Sequence, residues 1–89
     1  MSTLVEEEVE EKVINTDLKQ IVIYNDDVNT FEFVIACLIK YCKHDSLQAE
    51  QCANIIHYNG KCQVKRGDYD TLKPICVALT DRGLKAKIE

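Results

Sequence analysis

Ile21-Val22-Ile23-Tyr24-Asn25-Asp26-Asp27-Val28-Asn29-Thr30-Phe31-Glu32-Phe33-Val34-Ile35 is the stretch whose reading decides the fold. Its four leading residues are apolar and largely β-branched, which suits a strand. Asn25, Asp26 and Asp27 are depleted in strands and favoured in turns, so the strand must stop there. A helix start follows at once. Asn29 reads as an N-cap with Glu32 three residues on, an arrangement worth ~1 kcal/mol. The product is a short, acceptor-rich loop between a rigid strand end and a rigid helix start. Convergent acceptors on rigid flanks suit the binding of a cation and need no acid-base machinery.

Downstream of this stretch the elements follow in a regular order. Thr30–Lys43 predicts a first helix, with Phe33, Val34, Cys37, Leu38 and Tyr41 at 3–4 spacing. Ile35, Ala36 and Ile39 widen that stripe, which predicts burial on most sides. Asp45 caps a second helix with Gln48 at N3, and Gly60 stands where a terminating glycine belongs. Leu47, Cys52, Ile55, Ile56 and Tyr58 are its apolar positions. Lys61–Lys65 alternates as a strand, with Cys62 and Val64 inward and Gln63 and Lys65 outward. A third helix is expected over about residues 71–82, with Ile75, Cys76 and Leu79 inward. Pro74 fits only in a first turn, which argues for a late helix start. After Gly83, alternation of Leu84, Ala86 and Ile88 with Lys85, Lys87 and Glu89 gives a last strand. Upstream, Leu18–Tyr24 is the first, with Ile21 and Ile23 on one face and Val22 and Tyr24 on the other.

The order is βααβαβ, an α+β domain of three strands packed against three helices. It occupies residues 18–89, preceded by a solvated acidic extension at residues 1–17. Residues 1–19 hold six acidic side chains against Lys12 and Lys19, whereas residues 20–89 hold nine of each sign, so the net charge of −4 lies at the front. A neutral domain with an acidic tail argues against nucleic-acid binding, which needs a clustered basic face. No apolar run approaches the ~20 residues of a membrane span. The early glutamates stand where a signal peptide would need positive charge, so a cytoplasmic location is expected. Five cysteines without a Cys-x-x-Cys pair read as free, small hydrophobes. Cys52, His57 and Cys62 match no zinc-ligand spacing, and no metal or cofactor is expected.

Asn25-Asp26-Asp27, then Asn29 to Ile35, then His57-Tyr58-Asn59-Gly60-Lys61 closely resemble the ClpS-type adaptors. The resemblance runs from about Leu18 to Glu89. Proteins of that family recognise N-terminal degradation signals (N-degrons) and deliver substrates to a Clp AAA+ unfoldase. The resemblance implies an antiparallel three-stranded sheet, a monomer and no catalytic residues. It implies that Asn25 and His57 contact the substrate's α-amino group and that Asp26 acts through water. It also implies pocket walls at Ile23, Phe31, Val34, Ala53, Ile56 and Leu84, and an unfoldase contact at Lys73. Two pocket positions depart from the common pattern: Phe31 at the rim and Ala53 at the floor both stand where Met is usual. Thr30 stands where the family commonly has proline at the first helical position.

The residues themselves fit that chemistry. A protein N-terminus is an ammonium with three donors beside its first side chain, so its pocket needs acceptors at the rim and an apolar cavity behind. Taken singly, the same residues have plainer readings. Asn25-Asp26-Asp27 is a solvated turn, His57 a helix-terminal residue favoured by the dipole, and Phe31, Val34 and Ile56 are core. Two other classes compete. A ribosomal-stalk-like structural domain shares the βααβαβ order, but this chain has only three glycines and carries two motifs such a domain does not need. A small hydrolase pairing Asp26 or Asp27 with His57 would lack a nucleophile motif, a metal set and a phosphate loop.

Overall fold

Apolar residues on both sides of one strand place it in the middle of the sheet. The structure, a computed structural model, describes residues 17–89. Its first strand, β1 (Lys19–Tyr24), is that strand. Ile21 and Ile23 are sealed under the helices, and Val22, on the opposite face, is only 4% exposed. β2 (Lys61–Gly67) and β3 (Lys85–Ile88) flank β1, each antiparallel to it, in the order β2-β1-β3. Both edge strands carry outward lysines, which discourage further strand pairing. The helices α1 (Phe31–Cys42), α2 (Ser46–Asn59) and α3 (Tyr69–Asp81) complete the expected βααβαβ order. Apart from Asp17, the acidic extension expected at residues 1–17 lies outside the described residues.

The core lies between the sheet and the helices. Ile21, Ile23, Leu38, Leu72 and Leu79 are fully buried there, joined by Val34, Cys37, Cys42 and Leu84. Each large aliphatic side chain so buried contributes ~1.5–3 kcal/mol. α1 buries Val34, Cys37, Leu38 and Cys42, but Ile39 is 40% exposed and Ala36 is open, so one side of the helix faces solvent. Burial on most sides was too broad an expectation.

α2 departs further. Its buried residues are Ala49, Ala53 and Ile56, while Leu47, Ile55 and Tyr58 are exposed. Two of the three are alanines, so this helix lies close against its neighbours over most of its length, and Ile56 is its one large buried side chain. Asp45 caps α2 through the Gln48 N–H at 2.7 Å, and Gly60 ends it with φ +94°, as expected.

Three local assignments change. α1 is capped by Thr30, whose hydroxyl accepts from the Phe33 N–H at 3.0 Å, and Asn29 is occupied elsewhere. α3 begins at Tyr69 with Asp68 as cap, so Pro74 lies inside the helix and not in its first turn. Proline there forgoes the bond its N–H would have made to the Asp70 carbonyl and crowds that carbonyl, and both residues are exposed, where water can serve the freed oxygen. Lys65 turns toward the helices because a bulge shifts β2 between its partners Ile21 and Val22. Its ammonium donates to the Cys42 carbonyl at 3.3 Å. The bulge leaves Val64 out of register, and buried His44 supplies its carbonyl with a donor, Nε2, at 2.7 Å.

The five cysteines are free. Burial pushes the Cys42 thiol up to about 11, and burial with Cys52 alongside pushes Cys62 up to about 12. Among the described residues, no His, Cys, Asp or Glu cluster is placed to hold a metal ion, and no helix is long and apolar enough to cross a membrane.

Candidate functional site

The loop between β1 and α1 is built around one carboxylate. Asp26 Oδ1 accepts the backbone N–H groups of Val28 and Asn29, each at 2.9 Å, and Oδ2 accepts the Asn29 side-chain amide at 2.8 Å. That amide also donates to the Gly83 carbonyl at 2.9 Å, fastening the loop to the corner between α3 and β3. Gly83 holds φ +93° at this corner, a conformation glycine adopts without strain. On the other side, the Asn25 N–H donates to the Gly60 carbonyl at 2.8 Å. The loop is thereby tied to the end of α2, where His57 sits in the last turn.

The Asn29 backbone N–H, its side-chain amide, the Val28 N–H and the Lys85 charge hold the Asp26 carboxyl below its ordinary value of 3.8, against an opposing effect of partial burial. The side chain is an anion at neutral pH. Most of its lone pairs are engaged within the loop, so it contributes negative potential more than a free acceptor. Asn25 and Asp27 beside it are exposed.

A cavity of about 580 Å³ opens in front of this loop, within the range of small-molecule sites. Asn25, Asp26, Asp27 and Asn29 line it from the loop, Phe31 and Val34 from the start of α1. Ala53, Asn54, Ile56, His57 and Tyr58 line it from α2. His57 packs edge-on against the Tyr58 ring, with centroids 4.8 Å apart and planes at 79°. Oxygen and nitrogen acceptors therefore share one cavity with Phe31, Val34, Ala53 and Ile56. That combination can hold an ammonium and an adjoining apolar group together.

Of the residues singled out in the sequence, Asn25, Asp26, Phe31, Val34, Ala53, Ile56 and His57 are brought to this cavity. Ile23 is 1% exposed and lies in the core without lining it. Leu84 lines a neighbouring cavity of about 480 Å³, together with Tyr24, Asn25 and Lys85. Lys73 is exposed on α3, its ammonium 5.9 Å from the Tyr69 ring centroid, and lines neither cavity. Sequence reading missed Asp27, Asn29, Asn54 and Tyr58 as lining residues. Asn54 lies one helical turn before His57 and Tyr58, so the 3–4 spacing that marks a helix face would have found it.

Residues 15–87 match the family described as ATP-dependent Clp protease adaptor protein ClpS. A curated relative is the ATP-dependent Clp protease adapter protein ClpS of Thermosynechococcus vestitus, 41% identical over 46 residues. That match covers 51% of this chain and spans about half (49%) of the relative's length. Among solved structures, Agrobacterium tumefaciens ClpS2 bound to L-phenylalaninamide superposes with a TM-score of 0.78. The superposition covers 82% of this chain and 95% of that one at 22% identity, a likeness of fold.

Proposed function

Because the chain belongs to the ClpS family of ATP-dependent Clp protease adaptor proteins, we propose that it binds the free first residue of N-degron substrates and delivers them to a Clp-family AAA+ unfoldase. The observation that carries this reading is the first cavity, where Asn25, Asp26, Asp27 and His57 stand beside Phe31, Val34, Ala53 and Ile56. The ligand of Agrobacterium tumefaciens ClpS2, L-phenylalaninamide, has a free α-amino group beside an aromatic side chain. Those are the two groups this cavity is composed to receive.

Binding proceeds without chemistry on the substrate. The α-ammonium donates to the Asn25 side-chain oxygen and to a ring nitrogen of His57, while anionic Asp26 supplies potential through the solvent between them. The first side chain enters between Phe31, Val34 and Ile56, over Ala53. Each hydrogen bond to the charged group is worth ~1.5–3 kcal/mol, and burying a Leu- or Phe-sized side chain ~1.5–3 kcal/mol. Less the cost of association, the sum supports roughly micromolar affinity, which suits an adaptor that must release its cargo. The acidic residues 1–16 and Lys73 on α3 serve the hand-over to the unfoldase.

The test is fluorescence anisotropy with short peptides beginning with Leu or Phe, each with an Nα-acetylated control. Acetylation removes the charge and two donors, so affinity should fall at least about tenfold, or ~1.4 kcal/mol. Equal affinity for the acetylated peptides would sink the reading.

A further inference from the structure

Asn25 belongs to two cavities. It closes one side of the first, and it lines the second with Tyr24, Leu84, Lys85 and Lys87. The two differ in sign. The first carries the carboxylates of Asp26 and Asp27; the second carries two lysine ammoniums.

Strand register explains the second set. Tyr24 pairs with Lys85 on β3 and with Lys61 on β2, and Val22 pairs with Lys87. The Lys87 and Lys61 ammoniums sit 5.6 and 5.8 Å from the Tyr24 ring centroid. The open face of the sheet thus gathers Lys61, Lys85 and Lys87 in a domain whose charges balance overall. Tyr24 donates its hydroxyl to Glu89, the acidic side chain at the far end of this face.

Lysines on edge strands commonly serve only to keep strands from pairing. Lys85 does more than that, because it lines a cavity that shares a wall with the acceptor loop, and its charge reaches Asp26.

We propose that the second cavity is a subsite for an acidic residue at position two or three of the bound polypeptide, its carboxylate held by Lys85 and Lys87. This deepens the proposed function and rests on it. Chain length permits the arrangement. An extended residue spans ~3.3–3.6 Å, so positions two and three lie within about 11 Å of an α-amino group held at Asn25. The polypeptide then presents an ammonium followed by a carboxylate, matching the order of the two cavities.

The experiment compares peptides with an invariant Leu at position one and Glu, Ala or Lys at positions two and three, by anisotropy on the full chain. Nα-acetylated controls and the variant K85Q/K87Q complete the set. The Glu peptide should bind about three- to tenfold more tightly than the Ala peptide at low salt, and the Lys peptide more weakly than either. The Glu-to-Ala ratio should shrink toward one at high ionic strength, as expected for exposed charges, and in K85Q/K87Q. The ratio within each protein is the readout, so a uniform change in the variant's affinity does not disturb it. Free-amine peptides that bind with a ratio of one in the wild-type protein would overturn the subsite alone. A ratio that survives in the variant would also overturn it. If free-amine and acetylated peptides bind alike, the first-residue reading fails and the subsite with it.

Discussion

Strands β1 and β2 both hand over to helices, and they do so at different cost in residues. β2 ends at Gly67 and α3 begins at Tyr69, with Asp68 alone between them. That single side chain accepts the Thr71 N–H at 2.7 Å and caps the helix. β1 ends at Tyr24 and α1 begins at Phe31, with residues 25–30 between. There Thr30 does the capping, Asp26 shapes the loop through three hydrogen bonds, and Asn29 moors it to Gly83. Starting a helix needs one acceptor. The longer connection spends the rest of its polar groups on a stiff frame, and that frame, unlike Asp68, lines a cavity. A loop more elaborate than its connecting role requires is a pointer to binding.

Removing the frame's centre should have the largest effect. Asp26→Ala deletes three acceptor contacts and should lower unfolding free energy by about 1–2 kcal/mol, discounted for exposure. Free-amine peptide affinity should fall at least about tenfold. Denaturant unfolding and anisotropy measured together check this; lost stability with intact binding would break the comparison.

Next comes a change that spares the loop and alters the floor. Ala53→Met adds a flexible thioether where Ala53 is 3% exposed. It should weaken peptides beginning with Ile or Val by a few-fold to about thirtyfold relative to Leu and Phe, since one buried methylene is worth ~0.8 kcal/mol. A uniform loss would assign selectivity to the loop and not the floor.

The control is Asp68→Ala, which removes a helix cap remote from both cavities. Its unfolding temperature should drop by a few degrees while peptide affinity stays within about twofold. A binding defect here would show that any weakened helix start disturbs the site.

The smallest effect is in acid. Both carboxyls are held below their ordinary value of 3.8, Asp26 chiefly by the Asn29 N–H and Asp68 chiefly by Thr71. The unfolded chain therefore binds protons more readily than the folded one near that pH. The stability these groups contribute is present above 3.8 and is lost as pH falls through their lowered folded-state values. Asp26→Asn should flatten part of this acid slope in pH-dependent unfolding. An unchanged slope would mean that Asp26 is not held as the loop geometry implies.

Several of these features were legible in the sequence, for reasons that differ residue by residue. Asp45 with Gln48, and Gly60 at the end of α2, could be read because a cap acts within one helical turn. Asn29 and Thr30 are both good caps, and nothing local chooses between them. The choice falls to Gly83, 54 positions downstream, whose carbonyl draws Asn29 away. In the cavity, Asn25, Asp26 and His57 stood out through their motif, whereas Asn54 looked like an ordinary solvent-facing residue.

By itself the sequence determined the element order, both ends of α2 and the acidic front of a charge-balanced domain. It also determined that an acceptor-rich loop lies between the first strand and first helix. Those features depend on periodicity and on contacts a few residues apart. Tertiary structure alone decided the strand order, the burial of Ala49 and Ala53 in place of Leu47 and Ile55, and the presence of two cavities that share Asn25. Burial and cavity shape depend on how closely distant segments approach one another. Hydrophobicity along the chain carries no measure of that distance: an alanine is buried where a helix must come close, and a leucine is exposed where nothing meets it.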